Sequence, residues 1–342
     1  MSGMKRLLLA LLACVYGSVT DLRNCLYDHG VLKITRFGLP VISVGNLVAG
    51  GTGKTPHVIE IARLLVAKGY KVAVLSRGFG RSDGGFIAVK DESRAHEVGD
   101  EPVEIKRALG ENALVVVDVD RVGGVRKLLT LEPQLDVVLL DDGFQHRRLD
   151  RSLNILLTDY GRLYVDDELL PLGRLRERKR GADRADIVVV TKCPHELSQA
   201  ERRDIRCRLG LGDNQQLFFS HIVYSDIPPA KRVLVVCGIA NPRPLIDRIA
   251  STGVEVSTLC FPDHHAFTRA DAGRIRDAAD SVDLLLTTAK DAPRLAEISG
   301  WLGDVADKLR VVAMRVEVDD REFNQKIIRH VEENRPNRRV AL

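Results

Sequence analysis

No two of the six cysteines stand as a CxxC pair, and none lies at zinc-finger spacing from a histidine. A zinc-finger scaffold is therefore excluded. Cys14, Cys25, Cys193, Cys207, Cys237 and Cys260 read as reduced thiols of a reducing compartment, packed as small hydrophobes. Net charge is also small. A formal net charge of +4 is too small to imply a nucleic-acid partner. There is no internal repeat and no low-complexity tract. The most apolar run, Leu7 to Val19, is shorter than the ~20 residues a membrane-spanning helix needs. What remains is a chain of 342 residues, 45% hydrophobic and 29% charged, long enough for two ordinary folded domains.

The N-terminus keeps three readings open. Lys5 and Arg6 precede the apolar run. A cleaved signal peptide has that layout. So does a buried amphipathic helix, and so does an interfacial helix lying among lipid headgroups.

From residue 41 the pattern is α/β. "VISVG" is a short β-branched run, "HVIEIARLLVAKGY" has helical apolar spacing with a stop at Gly69, and "KVAVLSRG" is the next strand. Strand, loop, helix and strand within about forty residues make a βαβ unit and imply a parallel sheet. Residues 113–119, 136–142, 154–159 and 186–192 are continuous apolar runs, as expected of strands buried on both faces. "RVLVVCGIANPRPLIDRIASTGVEV" and "VDLLLTTAKDAPRL" begin a second, smaller α/β set. "FFSHIVYSD" and "RVVAMRVEVD" flank that set, alternate like exposed strands, and are expected to pair as a connector.

The loop "LVAGGTGKTP" carries the first chemistry. The usual phosphate-binding pattern is G-x-x-x-x-G-K-[ST]. Gly53, Lys54 and Thr55 match it; Val48 occupies the first glycine position, and Gly50 and Gly51 stand just before Thr52 instead. Glycines let backbone N–H groups converge on phosphates, and the following helix adds its N-terminal dipole. Lys54 is expected on the β and γ phosphates and Thr55 on Mg²⁺. Pro56 suits the first turn of the helix. In "VVLLDDGFQH" a buried strand ends in Asp141 and Asp142, a carboxylate pair that needs a cation beside it. "VVVTKCP" lacks the aspartate of the guanine-reading N-K-x-D motif, which favours adenine.

An acceptor hydroxyl needs a base in line with the γ-phosphate. Asp100 and Glu101 open a helix with Pro102 in its first turn; a base and an ordinary N-cap are both open at this stage. "CFPDHHAFT" sets Asp263 beside His264 and His265, an acid–imidazole cluster with no metal triad around it. The basic clusters "QHRRLDR" and "GRLRERKRGADR" follow strand ends, where α/β sheets bind ligands, and arginine suits phosphate.

Together, "SVGNLVAGGTGKTP", "LSRGFG", "GDEP", "LLDDGFQHRRLDR", "LLPLGRLRE", "VCGIANP", "FPDHHAFT" and "TTAKDA" resemble, in order from about residue 42 to 295, the tetraacyldisaccharide 4'-kinases of lipid A biosynthesis. The resemblance implies transfer of the γ-phosphate of ATP, with Mg²⁺, to the 4'-hydroxyl of a tetra-acylated disaccharide 1-phosphate. It implies a protein at the cytoplasmic face of the inner membrane, peripheral or anchored by its N-terminus, with no nucleic acid and no obligate protein partner. Gly50, Gly51, Thr52, Gly53, Lys54 and Thr55 would bind ATP. Thr55, Asp141, Asp142 and Gln145 would surround the metal, and His146 would face the nucleotide or metal shell. Asp100 becomes the base and His264 its partner, with His265 the open alternative. Glu101, Arg77, Arg121 and Arg176 would contact phosphate or substrate. Phe79, Leu172, Arg174 and Ala289 depart from the family's usual tyrosine, alanine, proline and glutamate.

The expected organisation is an N-terminal membrane-associating segment (1–40) and a P-loop kinase core (41–221). Connector strands (222–230 and 310–319) lead to a smaller α/β domain (231–309), and a C-terminal helix (320–342) follows. The alternative is a partition-type P-loop ATPase switch. Its loop, KGGxGKT, also has adjacent glycines, but Ala49 stands at the signature lysine.

Overall fold

A computed structural model describes residues 3–81, 84–239, 241–263 and 265–336. The strands are β1 (Val41–Asn46), β2 (Val72–Ser76), β3 (Ile87–Ala88), β4 (Ala113–Val117), β5 (Val137–Asp141), β6 (Leu153–Asp159), β7 (Ile187–Thr191), β8 (Gln216–Tyr224), β9 (Arg232–Cys237), β10 (Glu255–Cys260), β11 (Leu284–Thr288), β12 (Leu309–Val312) and β13 (Met314–Val318). The helices are α1 (Gly3–Asp28), α2 (Lys54–Ala67), α3 (Ala95–Val98), α4 (Asp100–Leu109), α5 (Arg121–Leu131), α6 (Gln199–Leu209), α7 (Arg243–Ala250), α8 (Arg269–Ala279), α9 (Ala292–Ala296), α10 (Ser299–Leu302) and α11 (Arg321–Asn334). The chain forms two compact units, 1–221 with 316–342, and 222–315.

The larger unit is built on a nine-stranded sheet in the order β13-β8-β7-β6-β1-β5-β2-β4-β3. β1, β2 and β5–β7 are buried along their whole length or nearly so, because helices cover both faces. Parallel pairing of β1 with β5 and β6, and of β2 with β4 and β5, fixes what matters for function. The loops after β1, β2, β4 and β5 all leave the same edge of four adjacent strands. Residues 46–55, 76–81, 118–121 and 141–146 therefore converge. The chain passes from β1 over β5 to β2, so the crevice opens where α/β sheets take their ligands.

The smaller unit carries a four-stranded parallel sheet, β10-β9-β11-β12. Leu245 and Ile249 of α7 pack on one face of it, and Ala272 and Ile275 of α8 with Leu295 and Leu302 on the other. The run 310–319 does not form one strand. It divides at Ala313: β12 joins the smaller sheet, and β13 lies beside β8 at the edge of the larger one.

α1 is longer than its apolar run. Its 26 residues satisfy the length and hydropathy of a membrane span. It nevertheless lies along the larger unit, with Ala13, Gly17 and Thr20 buried. Met4, Leu7, Leu8, Leu11, Leu12, Val15, Val19 and Leu22 are exposed along the rest of it.

Candidate active site

Gly53 is the residue that turns β1's loop into α2. Its φ of 80° and ψ of 30° are left-handed, a conformation that glycine adopts without a Cβ penalty. Lys54 and Thr55 then open the helix, both buried. The loop is braced from three sides. The Asn46 amide donates to Thr52 Oγ1 (2.7 Å) and Gly50 O (3.3 Å). Thr191 Oγ1 donates to Thr52 O (3.0 Å), and Lys192 Nζ to Gly51 O (2.5 Å). Below, His57 Nδ1 meets Gly53 O at 2.7 Å and its Nε2 meets Ser220 Oγ at 2.9 Å. A carbonyl can only accept, so Nδ1 carries the proton. Burial pushes this imidazole down to about 4, so it stays neutral and acts as a strut.

Opposite the loop, β5 ends in the acidic pair. Asp141 is fully buried. Ser76 Oγ donates to its Oδ2 (2.9 Å), while Oδ1 has no hydrogen-bond partner among the described residues. Burial, then Glu101 and Asp142 nearby, raise the Asp141 carboxyl to about 7, against the pull of Lys54 and Ser76. Asp142 has a φ of 52°, sparse for a residue with a side chain and a marker of functional sites. Arg176 NH1 holds both its oxygens (2.9 and 2.7 Å), and Lys54 Nζ lies 3.7 Å away. A buried carboxylate with one oxygen unpartnered among the described residues, beside a second carboxylate, is a donor set of the hard oxygen type that Mg²⁺ prefers.

Arg121 is buried at the start of α5, with Nε unpartnered among the described residues. Burial first, then the like charge of Arg77, lower it to about 10. His146 is lowered to about 4 by burial and by Arg121, and its Nε2 also lacks a partner among the described residues. Two guanidiniums in mutual repulsion, one with a buried donor unpartnered among the described residues, suit an anion.

Asp100 is the first residue of α4, not its cap. The cap is Gly99, with φ 97°. A Cβ there would stand 3.1 Å from Gly78 Cα and from Phe79 O. Two glycines thus set the start of α4 against the loop after β2, and Glu101 is within electrostatic reach of Asp141. Gln145, expected at the metal, directs its amide nitrogen to Asn46 O (2.9 Å) and Glu177 Oε1 (3.0 Å). In the smaller unit His264 lies outside the described residues. His265 is committed: its Nε2 is 3.0 Å from Asp271 Oδ2, and its ring stacks on Phe261 with centroids 4.7 Å apart. Asp263 sits 3.7 Å from Lys290.

The sequence reading passed over Asn46, His57, Ser76, Glu177, Thr191 and Lys192. Ser76 and Glu177 lie inside motifs already quoted; His57 follows Pro56 with nothing in its neighbours to mark it.

The native protein binds the Asp141 proton more tightly than the unfolded chain does. Stability from this group is therefore complete below the ordinary carboxylate range and is lost as pH rises through about 7. We expect the metal-free protein to lose about 2 kcal/mol, roughly 5 °C in Tm, between pH 5 and 8. Asp141→Asn removes that slope, as thermal unfolding across pH will show; a slope unchanged in the variant would contradict this account.

A glycine-rich loop closing on a lysine and threonine, an acidic pair at the neighbouring strand end and a parallel sheet define a P-loop nucleotide-dependent enzyme. The family model described as tetraacyldisaccharide-1-P 4'-kinase matches residues 5–332, and the chain belongs to this family. The tetraacyldisaccharide 4'-kinase of Parabacteroides distasonis is 40% identical over 93% of this chain and 92% of its own length. That of Flavobacterium johnsoniae is 42% identical over 83% and 86%. The crystal structure of LpxK from Aquifex aeolicus in complex with ATP matches with a TM-score of 0.73 and 30% identity, covering 95% of this chain and 99% of that one.

Proposed function

We propose that this chain phosphorylates the 4'-hydroxyl of tetraacyldisaccharide 1-phosphate with ATP, using the groups assembled at the edge of β1, β5 and β2. The observation that carries this reading is Lys54 beside Asp142, with the orphaned Asp141 oxygen next to them. Backbone N–H groups of residues 50–55 receive the phosphates, and Lys54 neutralises charge on the transferring group. Thr55, Asp141 and Asp142 would hold Mg²⁺, which when bound would screen the phosphate charge. Asp100 takes the proton of the sugar hydroxyl. On the family resemblance alone, His264 is the imidazole assigned to assist it, with His265 the alternative. Arg77 and Arg121 receive an anionic group of the substrates.

A membrane-surface location fits the same chemistry, since the four acyl chains keep the acceptor in the bilayer. The exposed apolar side of α1 would lie among headgroups. The opposite side is engaged by protein: Tyr16 OH donates to Arg176 O at 2.7 Å, and Arg178 and Arg180 reach Asp21 at 2.6 and 2.8 Å. That supports a helix lying on the membrane over one crossing it.

ADP release measured with and without the lipid acceptor tests the reading. We expect turnover to require the disaccharide 1-phosphate and to yield one phosphorylated lipid per ADP. Turnover that ignores the acceptor would instead favour the partition-type ATPase switch.

A further inference from the structure

Glu177 is fully buried, yet three donor groups from three places make four hydrogen bonds to it. Arg184 NH2 contacts both carboxylate oxygens (2.8 and 2.7 Å). Gln145 Nε2, from the turn after β5, donates to Oε1 at 3.0 Å. Asn24 Nδ2, from α1, donates to Oε2 at 2.9 Å. Arg147, two residues beyond Gln145, returns to α1 by donating to Asn24 O (2.9 Å) and Asp28 Oδ1 (2.6 Å). One turn sequence, 141–147, is therefore tied to the helix twice. A second line runs beside it: Tyr16 OH holds Arg176 O, and Arg176 holds Asp142. At Gly17 the helix presses so closely on this segment that a Cβ would lie 2.7 Å from Leu169 Cδ1.

Gln145 also donates to Asn46 O, the last residue of β1, so Glu177 bridges α1 to both halves of the nucleotide site. Buried and charged, Glu177 must keep these donors; removing one leaves a desolvated oxygen that will draw a substitute from its surroundings. Gln145, already bonded to Oε1, is the neighbour placed to respond, and its shift would move the turn that carries the acidic pair.

We propose that the inner face of α1 is a positioning element of the kinase site. Asn24 acts through Glu177 on Gln145, and Tyr16 acts on Arg176, so that α1 is needed for the chemical step even where no membrane is present. This rests on the assignment of Asp141 and Asp142 to the reaction given above. A displacement of about 1 Å at a reacting centre is enough to cost as much as 10²-fold in rate.

The test uses the full chain with acceptor dispersed in detergent micelles. It reads kcat, KM for ATP, the thermal midpoint, and co-sedimentation with vesicles of phosphatidylethanolamine and phosphatidylglycerol. Asn24→Ala is expected to lower kcat about tenfold, with KM for ATP and vesicle binding unchanged. Asn24→Asp keeps the shape but turns a carboxylate on Glu177, and is expected to lower kcat further. A packing role would tolerate that isosteric change. Tyr16→Phe, which removes one hydroxyl, is expected to lower kcat about threefold and decides the matter if the Asn24 variants do not fold. Wild-type kcat in Asn24→Ala, Asn24→Asp and Tyr16→Phe would overturn the proposal, as would losses of kcat that merely follow loss of vesicle binding. Were the wild type itself without acceptor-dependent turnover, the kinase assignment would fall instead, and the two failures are thereby told apart.

Discussion

Asp100→Asn is expected to lower kcat about 10³-fold while changing the affinity for ATP less than about twofold. The asparagine side chain has the shape of the aspartate and also suits a helix start, so α4 and its packing survive. What it lacks is a carboxylate able to take a proton from the sugar hydroxyl. The position of Asp100 makes the comparison clean. Gly99 is the cap, with its φ of 97°, so Asp100 does not have to cap the helix. Single-turnover rates and equilibrium ATP binding on the same preparation provide the check. A variant with wild-type kcat would show that residue 100 is only a helix-opening residue. A loss of ATP affinity matching the loss of rate would show a role in holding the nucleotide instead.

The sheet core of the larger unit was readable because burial on both faces leaves continuous runs of Val, Ile and Leu, and because Gly-Lys-Thr between a strand and a helix has one well-understood use. The acidic pair was readable for the same reason: it ends such a run. Other parts could not be read this way. Glu177 finds Asn24 and Gln145 at separations of 153 and 32 residues, and His57 finds Ser220 at 163. No local pattern announces such pairs; they exist only because the fold brings remote loops to one sheet edge. The run 310–319 alternates throughout, and alternation specifies two faces without saying which sheet a strand joins. Its division at Ala313 is a tertiary outcome. At residue 100 capping preference favours Asp over Gly, yet the close approach of Gly99 to Gly78 prevails, because only a residue without Cβ fits there. The bond of His265 to Asp271 is likewise a contact that no local pattern announces.

Lys54→Met is expected to remove the largest part of the activity, a fall of about 10³-fold or more in kcat/KM, since one preorganised donor at a developing oxyanion is already worth 10²–10³ and Lys54 carries a full charge. The side chain is buried, 8% exposed, and its ammonium is 3.7 Å from Asp142. Methionine fills nearly the same volume, so the loop between Gly53 and α2 should keep its shape. The change also has a second, independent consequence. Lys54 is one of the two groups that restrain the rise of the Asp141 carboxyl, the other being Ser76. Without it the buried acid holds its proton to higher pH, above the value of about 7 in the native site. The loss of stability on raising pH should therefore begin later in Lys54→Met than in the wild type, even though the enzyme is inactive. Thermal unfolding from pH 5 to 9 reads this directly, alongside initial rates. An inactive variant whose pH–stability curve coincides with the wild type would place Lys54 on phosphate but out of electrical contact with Asp141. That would separate the two halves of the site that the geometry joins.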